Sequence, residues 1–160
     1  MEKLVNILKY IYLNYPNVNQ LSKPRLVKLL YLLDWKHCLT YENQATNINW
    51  YFNHYGPYVE DVINLIRQRS DLFETQSYDT QFGIGHKIIY IGDKNIQLTD
   101  DVTEVLDFVI EKTNKLNWGQ FINLVYDTYP IRINSKYSEL NLIEDSKKYK
   151  LIILQQQEQK

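Results

Sequence analysis

Cysteine occurs once in the 160 residues, at Cys38. That excludes an intrachain disulfide and any zinc cage built from cysteines of one chain, and it makes a reducing cytoplasm the expected compartment. Charge of one sign is lacking too. Eighteen Lys and Arg stand against 19 Asp and Glu, for a formal net charge of -1, so the chain has no overall positive field to displace counterions from phosphates. A nucleic-acid role would need a local basic patch and is not expected. No run approaches the roughly 20 apolar residues that cross a bilayer, so no membrane role is expected either. The opening MEKLVNILKYIYLNYP places Glu2, Lys3 and Lys9 inside its apolar pattern and has no small-residue cleavage site, so it reads as mature protein. Alanine is also confined to one position, Ala45.

What the chain has is aromatic surface: fourteen tyrosines and three tryptophans. With 44% hydrophobic and 23% charged residues, there is enough apolar surface to offset the entropy of ordering the backbone. The length suits a single domain over residues 1–154, followed by a polar tail at 155–160 expected to fray.

The periodicity predicts a mainly α fold, a compact domain of about five to six helices with a small β-hairpin. Leu4, Ile7, Leu8, Ile11 and Tyr12 repeat at helical spacing. Ser22 is a good N-cap and Pro24 suits a first turn, so a second helix begins there. Its apolar stripe, from Leu26 to Trp35, is broad enough for a central position. A third helix is expected at 57–69, opened by Gly56-Pro57. Residues 71–86 read as an exposed excursion, and 87–98 as a hairpin turning at Gly92-Asp93-Lys94-Asn95. Thr99-Asp100-Asp101 offers N-caps for a fourth helix, and Asn117 with Gln120 has capping-box spacing for a fifth. Tyr129-Pro130 is expected to stop that fifth helix, and a last helical or extended segment covers about 144–154.

Catalytic patterns are sparse. His37, Cys38, His54 and His86 show no paired metal-ligand spacing, and Gly83-Ile84-Gly85 lacks the third glycine of a dinucleotide loop. No metal, cofactor or catalytic residue is therefore expected. Lys23, Arg25, Lys28 and Lys36 lie along the second helix, either as its solvated stripe or as a binding face. Should a catalytic site assemble only in space, Asp34, His54 and Glu60 are the side chains to test.

The segment LSKPRLVKLLYLLDWKHCLTYENQATNINWYFNHYGPYVEDV resembles the Panacea domain, the SocA-like or GepA-like antitoxin family. The likeness rests on four ordered blocks: the Leu21–Tyr31 helix, the Trp50–Tyr55 aromatic run, Gly56-Pro57, and the downstream LTDDVTEVLDFVIEKTNKL with LVYDTYPI. It covers about residues 4–150. Many family members carry a Thr-His pair where this chain has Asp127-Thr128-Tyr129-Pro130, so no role of that histidine carries over.

The resemblance implies a helical antitoxin that binds a cognate toxin protein and, in one branch, delivers it to a cytoplasmic protease. A non-enzymatic binding module is thus expected, with homo-oligomerisation left open. Interface energy concentrates in a few Tyr, Trp and Arg side chains, so the expected partner-binding residues are Lys23, Arg25, Lys28, Tyr51, His54, Tyr55 and Tyr58. The alternative is a DNA-binding regulator that uses the basic second helix.

Overall fold

The computed structural model describes residues 2–159. Met1 and Lys160, the ends of the expected domain and tail, lie outside the described residues.

Helix α1 spans Glu2–Asn14 and buries Ile7, Leu8, Ile11 and Tyr12 as its periodicity indicated, with Val5 buried and the expected Leu4 half-buried. A 3-10 turn at Val18–Gln20 leads to α2, Lys23–Tyr41. The Ser22 hydroxyl accepts from the Arg25 amide at 3.3 Å, with Pro24 in the first turn. Helix α2 is buried nearly all round, because most of its faces carry leucine, tyrosine or tryptophan. It packs chiefly against α4 (Asp100–Thr113) and α7 (Leu142–Glu158).

Four expectations are corrected. First, Gly56-Pro57 does not open a helix. Tyr51–Asn53 forms β1, Gly56–Pro57 forms β2, and α3 begins at Asp61 and ends at Gln68. Strands β2 and β1, together with β5 at Ser138–Glu139, make a three-stranded antiparallel sheet in the order β2-β1-β5. Gly56 turns at φ +100. Pro57 sits on an edge strand, where its missing N–H costs no ladder bond. The Tyr58 amide, which a helix would have left unpaired, donates to Tyr51 O at 3.1 Å.

Second, the hairpin lies earlier than expected. Phe73–Thr80 is β3 and Gly83–Tyr90 is β4, paired antiparallel from Phe73↔Tyr90 to Thr80↔Gly83. Both faces are largely solvated, so the apolar alternation that marks a half-buried strand is missing. The turn residues are Gln81 and Phe82, with Gly83 at φ +122. The Gly92–Asn95 segment is instead a loop, tied down where Lys9 pairs with Asp93 at 3.4 Å.

Third, Tyr129-Pro130 begins a helix. After α5 (Trp118–Tyr126), whose Asn117–Gln120 capping box forms in both directions, Pro130 occupies the first turn of a short α6, Tyr129–Ile133. Fourth, α7 runs to Glu158, past the expected end at Leu154. Seven α-helices are thus formed among the described residues, and the mainly α reading holds. The core is a cluster centred on Leu26, Leu29, Leu30, Tyr31, Leu33 and Trp50 and closed by Val102, Leu106, Phe121 and Val125.

Candidate partner-binding site

The basic residues of α2 do not form a surface stripe. Arg25 is 3% exposed and Lys28 2%, while Lys23 and Lys36 are half-buried. Arg25 is a structural clamp. Its Nη2 donates to the carbonyl oxygens of Thr113 at 2.8 Å and Leu116 at 2.9 Å, and its Nε to the Tyr15 hydroxyl at 3.2 Å. The guanidinium also lies over the Phe121 ring at 4.5 Å. Thr113 is the last residue of α4, where a cation is favoured by the helix dipole, and Leu116 lies in the loop that follows. Arg25 is therefore removed from the expected binding residues, and the DNA-binding reading loses the stripe on which it depended.

Lys28 is different. It opens into a cavity of about 310 Å³ whose wall comprises Pro24 and Lys28 from α2, Asn53, His54 and Tyr55 from the β1–β2 turn, and Tyr58. The turn reaches this position because Gly56 adopts a positive φ there, +100. A Cβ on it would lie 3.4 Å from the Tyr126 ring and 3.6 Å from Lys28 Cε. Four expected partner-binding residues, Lys28, His54, Tyr55 and Tyr58, are thus brought to one place. Lys23 and Tyr51 are not part of its wall. Tyr51 is half-buried on β1, with its backbone spent on Tyr58.

Tyr55 stands 75% exposed at the rim. The His54 ring meets it edge-on at 4.5 Å and shares a 2.8 Å hydrogen bond with the Tyr137 hydroxyl. Tyr137, 59% exposed at φ +66, is a site residue that sequence reasoning missed. It lies 83 residues from His54 in the chain, and it arrives because its amide donates to Phe52 O as β5 joins the sheet. No local pattern in the Ser135–Leu140 run signals this.

Burial lowers the Lys28 pKa from its ordinary value. The Tyr58 hydroxyl is raised, first by burial and then by Glu60, and the Lys28 ammonium lies 5.7 Å from the centre of the Tyr58 ring. Among the described residues three basic side chains do meet carboxylates, Lys9 with Asp93, Arg69 with Asp71 and Lys150 with Glu42. Among the described residues no carboxylate oxygen lies within 4.0 Å of the Lys28 nitrogen.

The residues named for a spatial catalytic site are otherwise engaged or open. Asp34, fully buried, accepts from the Thr46 amide at 2.8 Å, the Thr46 hydroxyl, Trp50 Nε1 at 2.8 Å and Gln44 Nε2 at 3.3 Å. It anchors the 44–50 loop to α2. His37 bridges Asn43 O and Asp101 Oδ2, each at 2.7 Å. Burial pushes the Cys38 thiol up to about 12, with the Asp34 charge acting in the same direction. Glu60 is exposed. Among the described residues no three His, Cys, Asp or Glu side chains converge as metal ligands, and no helix is long and apolar enough to cross a membrane.

Comparison with known proteins gives one family. Its model, described as antitoxin SocA-like, Panacea domain, matches residues 26–130, from α2 through the pocket turn and the hairpin to the start of α6. No curated protein and no solved structure matches. With well over half of its length inside that match, the chain belongs to the SocA-like antitoxin family of the Panacea domain.

Proposed function

We propose that the protein neutralises a toxin by direct contact, without catalysis, through the face formed by Tyr55, His54, Tyr137 and the pocket above Lys28. The observation that carries this reading is the clustering of exposed aromatic rings around a concave site in an antitoxin-family domain. Tyrosine rings combine apolar area with a polar end at low entropic cost, and binding energy concentrates on such anchors around a pocket. The expected partner is a toxin protein, and the expected setting is the cytoplasm.

Co-expression with the product of the neighbouring reading frame tests the reading. Growth arrest by that product should be relieved by the wild-type chain and restored by Tyr55→Ala or Tyr137→Ala in a chain that still folds. A product that arrests growth equally in the presence of this protein overturns the proposal. Toxin abundance in the same cells separates two routes. A falling level supports delivery to a cytoplasmic protease, and a constant level supports inhibition by occupancy.

A further inference from the structure

Lys28 is 98% shielded by its own fold yet lines an open pocket, and among the described residues no carboxylate pairs with it. A buried ammonium is costly unless it is paired and hydrogen-bonded, and the other close lysine pairs in the chain show that carboxylates were available to the fold. We infer that the pocket is a receptor for one acidic side chain of the partner, whose carboxylate pairs with the Lys28 ammonium while Tyr55 and Tyr58 cover its stem. This rests on the contact reading above and gives the partner's contact residue its chemistry.

The site suits a carboxylate better than a phosphate. It offers a single cation, whereas phosphate carries a second charge and is met most often by the fork of an arginine. The nearby Arg25 is turned away, with its guanidinium held by Thr113 and Leu116. A nucleic-acid backbone needs several cations in a row, and the pocket wall has one.

The first experiment does not need the toxin. The Lys28 side-chain resonance, assigned by its loss in Lys28→Met, is followed in lysine-labelled full-length protein. The probes are N-acetyl-glutamate amide, N-acetyl-glutamine amide and inorganic phosphate. The glutamate probe should give a saturable shift of Lys28, with neighbouring shifts at His54 and Tyr58, and should move the lysine titration back up. The glutamine probe should do neither. No response of Lys28 to the glutamate probe, an equal response to the glutamine probe, or tighter binding of phosphate each overturns the inference.

The second experiment uses the complex. Lys28→Met should weaken toxin binding about thirtyfold or more, as for removal of one partner of a buried charge pair. One Glu→Gln or Asp→Asn change in the toxin should weaken it equally, and the two should not add. Wild-type affinity in a folded Lys28→Met chain overturns the acidic-contact inference and leaves neutralisation standing. A Lys28 that answers the glutamate probe in a protein that relieves no toxin overturns neutralisation and leaves the carboxylate receptor standing.

Discussion

Arg25 and Lys28 lie three residues apart on the same helix and have opposite roles, because one finds acceptors in the fold and the other does not. Arg25→Met should cost roughly 3 kcal/mol in urea unfolding, since it strands the Thr113 carbonyl at the end of α4 and the Leu116 carbonyl beyond it. Arg25→Lys should recover only part of this, because a single ammonium does not copy the fork. Lys28→Met should do the reverse and raise the melting temperature by about 2–4 °C, a gain on the order of 1 kcal/mol, even as partner binding falls. Its pH dependence has a definite sign. Because the folded chain holds Lys28 below its ordinary value, the unfolded chain takes up the proton first as pH drops. Stability is therefore lost as pH falls from about 10.4 towards the folded value. The wild-type minus Lys28→Met difference in unfolding free energy should rise between neutral and alkaline pH. A flat difference would show that the ammonium is not desolvated.

At the scale of elements, the β1–β2 turn and the β3–β4 hairpin each bend at a positive-φ glycine and differ in what covers them. Gly56 bends beneath the Tyr126 ring at a positive φ, so Gly56→Ala should cost roughly 1–3 kcal/mol by thermal unfolding and displace the His54 and Tyr55 resonances. The distal hairpin also turns at a positive φ, at Gly83, but nothing packs over that tip. Phe82 is 91% exposed, so Phe82→Ser should change stability by less than about 0.5 kcal/mol. It should also reduce light scattering in concentrated solution, since it removes an apolar tip. Helices α1, α2 and α5 were readable before folding because their apolar spacing, Ser22, Pro24 and the Asn117–Gln120 box act within a few residues. A hairpin was readable but its position was not, because strands solvated on both faces bear no alternating stripe.

At the scale of the molecule, ties between distant segments close the bundle around α2. Asp34 binds the 44–50 loop, and His37 reaches Asp101 at the start of α4. The Thr99 hydroxyl, followed by His37, holds the Asp101 carboxyl at about 2. Its stabilising contribution is therefore complete above the ordinary carboxylate value near 4 and is lost as pH falls through about 2. Asp101→Asn should abolish that component, seen as a wild-type minus variant difference in the urea midpoint that shrinks between pH 4 and pH 2. A constant difference across that range would mean the carboxylate is not tied in the folded chain.

The amino-acid order alone established a helical, charge-balanced chain with the family's ordered blocks, and it marked Lys23, Arg25, Lys28, Tyr51, His54, Tyr55 and Tyr58 as residues of interest, of which four line one pocket. Those features follow from local spacing and from side-chain chemistry that needs no neighbour. Which of the basic residues would be buried, which would be paired, and which ring would complete the site depended on contacts across the chain. Tyr137 joined His54 through a sheet closed from 83 residues away, and Arg25 turned inward because α4 and its following loop ended beside it. Burial and pairing are properties of the packed neighbourhood, so the aromatic surplus went mostly into the core, and only the packed fold decided that Tyr55 and Tyr137 would be left uncovered beside the Lys28 pocket.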